Sequence, residues 1–199
     1  MVDKKLKKMI IPMIIIVVTS LVFCACSKKD EEVPEITTDT VNVEITMEDG
    51  GVIELELDNA VAPITVQNFV GLAEQGFYDG LTFHRIIPGF MIQGGDPEGT
   101  GEGGSGKTIK GEFELNGVEN SISHTEGIIS MARKPNDMDS ASSQFFITNE
   151  ISTFLDGEYA AFGRVVAGMN VVQDISSVET DGNDKPLKDV VIESIKVIR

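Results

Sequence analysis

The chain predicts a mainly β domain, many short strands and two helices that suggest a closed barrel capped at its ends. Three observations point there. From Val41 onward, apolar and polar residues alternate over short runs, the period of half-buried strands. Only two stretches, opening near Pro63 and Gly168, carry helical spacing. Turns and polar loops, such as Glu48–Gly51 and Arg133–Ser142, separate the short strands. Two helices among many short strands fit a sheet closed on itself and capped at its ends, although periodicity alone does not set the strand number.

The elements follow in order. Lys4, Lys5, Lys7 and Lys8 form a positive n-region ahead of an apolar run of 15 residues, Met9 to Phe23. That length suits a signal h-region and is short for a membrane span. The run leads into Phe23-Cys24-Ala25-Cys26-Ser27. A small residue directly before a cysteine resembles a bacterial lipobox, with Cys26 as the lipidated residue. Phe23 stands where Leu is usual, and Cys24 is the poorer candidate because Phe23 precedes it. Residues 1–26 are therefore expected to be a signal peptide and 27–40 a flexible polar tether. Residues 41–199 are expected to form the folded domain. An uncleaved anchor helix is the alternative, and either way the domain is tethered to a membrane.

Val41, Val43, Ile45 and Met47 alternate as a first strand, and Ile53, Leu55 and Leu57 form its hairpin partner. Pro63 suits a first helical turn, Val66, Phe69, Val70 and Ala73 share one face, and Gly76 stops the helix. Leu81–Ile87, Phe90–Gln93, Gly127–Ala132, Gln144–Thr148, Phe162–Val166 and Asp189–Ile198 read as further strands. Gly168–Ile175 reads as the second helix, with Met169, Val172 and Ile175 inward.

Composition excludes several classes of function. Net charge is −16, and the first 26 residues hold four Lys and one Asp, a net +3, which leaves −19 for the rest. So acidic a body argues against nucleic acid, whose phosphates need Lys and Arg patches. Both cysteines, Cys24 and Cys26, precede the domain, so it holds no disulfide and no cysteine-ligated metal. The remaining candidate ligands, His84, His124 and the carboxylates, show no metal-ligand spacing, and no metal is expected. His84 should face away from Arg85 by the strand period and reads as structural, and His124 has no evident partner. The loop Asp96–Gly106 contains G-x-G-x-x-G, and Gly101–Thr108 fits the phosphate-loop pattern. Thr108 is followed by Ile-Lys-Gly-Glu-Phe, which has no helical face to hold a phosphate, so the stretch reads as a mobile surface loop without nucleotide.

The stretch Phe83-His84-Arg85-Ile86-Ile87-Pro88-Gly89-Phe90-Met91-Ile92-Gln93-Gly94-Gly95-Asp96 organises the rest. On spacing alone it is a hairpin with one arginine beside an apolar floor, and it holds no activated nucleophile. A guanidinium over such a floor can bind a neutral carbonyl without hydrolysing it. The stretch also resembles the central signature of the cyclophilin-type peptidyl-prolyl isomerases. Ser130-Met131-Ala132, Ser143-Gln144-Phe145-Phe146-Ile147, Phe154-Leu155-Asp156-Gly157 and Phe162-Gly163 agree in the same order, so the resemblance covers about Val41 to Arg199. It implies a closed eight-stranded antiparallel β-barrel with two helices.

The resemblance also implies the site. Arg85 matches the catalytic arginine, and Gln93 the glutamine that holds it and contacts substrate. Phe90, Met91, Phe146 and Leu155 match the proline pocket, and Gln144 falls on a further matched position. Ala132 and Arg133 sit where the substrate backbone binds, Arg133 replacing a common Asn. Phe154 stands where many members have Trp, and Tyr159 where many have His. The implied activity is prolyl cis-trans isomerisation of proline-containing clients, with no cofactor, and the N-terminal signal pattern puts those clients outside the cytoplasm. Cyclosporin-type inhibitors are expected to bind with reduced affinity. The readings that compete are a proline-binding or chaperone-like module with weak turnover and, on the glycine pattern alone, a nucleotide-binding protein.

Overall fold

The computed structural model describes residues 35–198. The expected signal peptide, Cys26 and the tether as far as residue 34 lie outside the described residues.

Strands β1 (Thr40–Met47) and β2 (Val52–Asp58) form the expected hairpin, with Val43 opposite Leu55 and Ile45 opposite Ile53. Their alternate side chains Val43, Ile45, Ile53, Leu55 and Leu57 are fully buried. Helix α1 (Pro63–Glu74) opens on proline, where the missing N–H breaks no helical bond, and buries Val66, Phe69, Val70 and Ala73. Gly76, at φ +67°, ends it in the left-handed conformation that glycine adopts without strain.

β3 (Phe83–Ile87), β4 (Met91–Gly94), β5 (Ile128–Met131), β6 (Phe145–Thr148) and β7 (Ala161–Ala167) follow. Helix α2 (Met169–Ser176) and β8 (Ile192–Ile198) complete the domain. All pairings are antiparallel, in the order β3-β4-β6-β5-β7-β2-β1-β8, so the eight strands and two helices are as expected. Phe69 of α1 packs among Tyr78, Phe145 and Phe162, meeting Phe145 edge to face at 5.4 Å.

The strand ladder stops between β3 and β8, and the sheet is a curled half-barrel. The seam is held by a bridge between Thr82 and Val191 and by three main-chain bonds. Phe83 N–H donates to Val190, Ile192 N–H to Leu81 and Gly80 N–H to Ile192. Full closure fails because another segment takes the rest of the β3 edge: Ile86 N–H donates to the carbonyl of Asp184 at 2.8 Å. A turn over residues 181–185, and not β8, therefore covers β3 beside Arg85.

Two further expectations change. The last tether residues are part of the domain: Ile36 packs on the core, its N–H donates to Gln67 Oε1 at 3.1 Å, and Asn59 Nδ2 donates to the Thr38 carbonyl at 2.9 Å. Ile36 is an apolar side chain in a polar stretch and finds cover, and β1 begins at Thr40. The glycine-rich loop is tied down, not mobile. Asp96 is buried, and its carboxylate accepts N–H bonds from Glu98 (2.8 Å), Thr100 (3.0 Å), Gly101 (2.6 Å) and Gly103 (3.3 Å). Burial alone would raise the pKa of that carboxyl, but the four N–H bonds together outweigh it and hold the pKa below the usual range. A Cβ at Gly103 would collide with Asp96 Oδ1, so the wrap needs glycine there.

Candidate active site

The site lies on the outer face of β3, β4 and β6. One irregularity puts it there. Phe83 and Ile86 both belong to the barrel core, yet they are three residues apart, which strict alternation forbids. The register slips between Phe83 and Arg85: Phe83 pairs with Gly94, and Arg85 with Gln93. His84 is the extra residue of this β-bulge. Arg85 is thereby turned outward while Phe83 and Ile86 stay in.

Across the outer face runs a row in register: Arg85 opposite Gln93, Gln93 opposite Phe146, and Phe146 opposite Ser130. One step along, Met91 joins Phe146 and Leu155 in a small apolar cluster separate from the barrel core. Ile87, Phe90, Ala132 and Tyr159 pack around it half-buried. Leu155 arrives on a 3₁₀ turn, Thr153–Leu155, which the strand-oriented sequence reading missed. The result is an apolar cup beside a cation, in a groove of about 560 Å³. Arg85, Phe90, Met91, Gln93, Ala132, Arg133, Phe146, Leu155 and Tyr159 line it, nine of the eleven expected residues in the domain.

The other two stand apart. Gln144 braces the loop: its Nε2 donates to the carbonyls of Gly101 (2.9 Å) and Gly103 (2.8 Å), and its Oε1 accepts from Gln93 Nε2 (2.8 Å). Phe154 is 69% exposed at the rim and meets the Phe90 ring at 5.4 Å.

One expected role is corrected, and two neighbouring groups are seen engaged within the protein. Gln93 does not hold Arg85; its amide goes to Gln144, and Arg85 Nη2 instead pairs with Asp184 Oδ2 at 3.3 Å. The Arg133 side chain folds back on the protein. Its Nε donates to the Glu158 carbonyl (2.9 Å), and its guanidinium lies 4.8 Å from the Tyr159 ring centre and 5.2 Å from that of Phe113. That cation–π contact fixes the Tyr159 wall of the groove. The Ala132 N–H is already bonded to the Gln144 carbonyl at 3.0 Å.

Both histidines differ from expectation. His84, as the bulged residue, does not simply face the far side: it lines the groove beside Arg85 and is 6% exposed. Neither ring nitrogen has a partner among the described residues, and burial pushes its pKa down although Asp96 opposes this. His124 has partners at every polar atom of its ring. Its Nδ1 lies 2.8 Å from Asp156 Oδ1, its Nε2 lies 3.1 Å from Ser130 Oγ, and its ring stacks on Phe146 at 6.1 Å. Burial lowers its pKa more than Asp156 raises it, so the ring is neutral near pH 7. Nδ1–H then donates to Asp156, and Nε2 accepts from Ser130. Asp156 also accepts from His124 N–H (2.7 Å) and Ser123 Oγ (2.6 Å). Burial works against its charge, but these bonds prevail and its pKa is lowered. The pair lies behind Phe146 and immediately after Leu155, and so supports the cup from behind. No local pattern around His124 signals this, since Asp156 is 32 residues away.

The arrangement suits binding without bond cleavage: a half-exposed guanidinium, an apolar cup and fixed aromatic walls. Among the described residues, no group of three or more His, Cys, Asp or Glu side chains is placed to hold a metal.

Comparison with known proteins points to one family. The family described as "Cyclophilin type peptidyl-prolyl cis-trans isomerase/CLD" matches residues 42–197. Peptidyl-prolyl cis-trans isomerase B of Bacillus subtilis is 49% identical over 131 residues, 66% of this chain and 87% of that protein. Peptidyl-prolyl cis-trans isomerase-like 1 of Emericella nidulans is 45% identical over 150 residues, 74% of this chain and 90% of the relative. A crystal structure of a Cryptosporidium parvum cyclophilin type isomerase superposes with a TM-score of 0.74 at 32% identity, covering 80% of this chain and 98% of that one. Another such structure, obtained in the presence of the dipeptide Ala-Pro, gives a TM-score of 0.73 at 32% identity, over 79% and 99%.

Proposed function

The chain belongs to the cyclophilin-type peptidyl-prolyl cis-trans isomerase family and is an enzyme of that class, and on that premise we propose that Arg85 drives the rotation over the cup of Met91, Phe146 and Leu155. Rotation about an Xaa-Pro bond faces a barrier on the order of 20 kcal/mol because amide resonance is lost as the bond twists. No proton needs to be moved through a catalytic base. The site has to bind the twisted amide more tightly than the planar one. The cup takes the proline ring. The guanidinium then donates toward the prolyl nitrogen, whose lone pair localises only in the twisted state, or holds the flanking carbonyl. A permanently charged, planar donor suits both tasks.

The observation that carries this reading is the placement of Arg85 in one outward row with Gln93 and Phe146, half-exposed beside a buried apolar cluster. NMR exchange spectroscopy on an Xaa-Pro peptide tests it, comparing the wild type with Arg85→Ala. A folded Arg85→Ala protein turning over at the wild-type rate would falsify the assignment.

We further propose that the enzyme works outside the cytoplasm on proline-containing secreted chains, lipid-anchored to the membrane at Cys26. The lysine n-region, the 15-residue apolar run and the Ala25-Cys26 junction support this. Mass spectrometry of the mature protein should find an acylated Cys26 at the N-terminus. An intact Met1 or Val2 terminus in the membrane fraction would overturn it.

A further inference from the structure

We infer that Asp184 is a positioning residue for the isomerisation, its carboxylate holding the Arg85 guanidinium at the mouth of the cup. The inference rests on the proposed role of Arg85. It begins from the ion pair of 3.3 Å between Asp184 Oδ2 and Arg85 Nη2, and from the engagement of Gln93 with Gln144 instead of Arg85.

The carboxylate reaches Arg85 from a turn that is fixed twice. Internally, Asp181 Oδ1 accepts N–H bonds from Asn183 (2.8 Å) and Lys185 (3.0 Å), and Asp181 N–H returns a bond to the Lys185 carbonyl (2.8 Å). Externally, the Asp184 carbonyl accepts the N–H of Ile86, the residue next to Arg85 in β3. The distance from carboxylate to arginine is thus set by main chain and short side chains. Arg85 alone contributes a long flexible arm.

The backbone at Asp184 points the same way. At φ +63° it is the one non-glycine residue with positive φ among the described residues. Glycine would hold that conformation without strain. The position carries a side chain nonetheless, and that side chain meets the arginine. Strained residues of this kind gather where geometry is used for function. Folding stability is a poor explanation for the pair, since both side chains are 43% exposed and exposed pairs contribute little. Orientation is the better one. A guanidinium has five donors, and engaging one Nη restrains the plane while others stay free for the amide. A preorganised donor does more for a twisted transition state than one that must first be ordered.

The test uses Asp184→Gly and Asp184→Asn in the full-length chain, with kcat and KM from NMR exchange on an Xaa-Pro peptide. Glycine keeps the turn and removes the carboxylate, whereas asparagine tolerates the same φ and keeps an acceptor oxygen. Asp184→Gly should lower kcat about five- to twenty-fold with KM changed less than about two-fold, as lost orientation acts on the transition state. Asp184→Asn should recover most of that loss. In an Arg85→Ala background, Asp184→Gly should change nothing further, because the two act as one unit. An unchanged or raised kcat in Asp184→Gly, or the same loss repeated without Arg85, would overturn the positioning role. If Arg85→Ala is crippled while Asp184→Gly is not, the positioning role alone fails. If Arg85→Ala itself turns over normally, the proposed function fails with it.

Discussion

The two faces of β3, β4 and β6 are built from the same fourteen-residue signature and its partner strand, yet they are different materials. Inward, Phe83, Ile86, Ile92, Phe145 and Ile147 are fully buried and merge into one continuous core. Outward, Met91, Phe146 and Leu155 form a small separate cluster beside Arg85, open to a groove. Neighbouring residues thus carry separate duties: Phe145 packs the barrel and Phe146 floors the cup. A single inserted residue, His84, keeps the two sets apart, because without the bulge Arg85 would point into the core. Stability and turnover should therefore separate by strand parity.

The sharpest test of that contrast is Phe145→Ala against Phe146→Ala. Emptying the inner site should cost about 3–5 kcal/mol, read from urea unfolding, with residual folded protein still turning over. Phe146→Ala should cost less stability and far more turnover, since its ring lines the groove. Equal stability losses with equal kcat/KM would erase the division between faces.

Arg85→Ala comes next. It should lower kcat/KM by about two to three decades, as removal of a preorganised donor does, with the unfolding midpoint unmoved. Arg85→Lys should rescue poorly, since a point charge lacks the planar fork. Good rescue would mean that charge alone suffices.

Acid probes the support behind the cup. Burial holds the His124 pKa below its ordinary value, so the folded state keeps the ring neutral while the unfolded chain takes up a proton. Protons then bind the unfolded state preferentially below about pH 6.5, and stability is lost as pH falls through that range. His84 is shifted the same way and adds to the loss. Unfolding midpoints measured between about pH 7 and pH 5 should fall, and His124→Asn should flatten the slope by less than about one bound proton. An unaltered slope would mean that His124 takes up its proton equally in the folded and unfolded states, and so is not shifted by burial.

The smallest effect sits at the rim. Phe154 is exposed on Phe90 and lacks the indole N–H and larger face of a Trp. Phe154→Trp should tighten a cyclosporin-type cyclic peptide by roughly ten-fold, about 1.4 kcal/mol, and leave kcat/KM for a small peptide within a few-fold. Calorimetry showing no change would place inhibitor affinity elsewhere.

Much of this was legible in the chain. Alternation placed β1 and β2, because burial on one face imposes a period of two on the sequence, and short apolar runs placed the other six strands within a few residues. Helical spacing and the Pro63 and Gly76 punctuation bounded α1 for a similarly local reason. The resemblance, carried over residue by residue, named nine residues that line the groove, four of them in the signature. No helix follows the glycine-rich pattern, and the chain runs instead into a bridge between Ile109 and Ala141.

The partners of polar side chains were not legible. The resemblance pairs Gln93 with Arg85, yet Gln93 bonds Gln144, 51 residues on. Arg85 meets Asp184 in a turn that carries no motif, His124 meets Asp156, and Asp96 gathers four N–H groups from a loop that reads as mobile. The reason is physical. Apolar burial is non-directional and satisfied by any cover, so it leaves a periodic trace in sequence. A hydrogen bond or ion pair needs one partner at one distance and angle. Which partner arrives depends on where a bulge slips the register and on which turn covers a sheet edge, and both are settled only when distant strands meet. By itself the sequence determined the strands and the helices, and through the resemblance it named the cup residues and the arginine; the tertiary structure decided how the cup assembles, what holds that arginine, and which way it points.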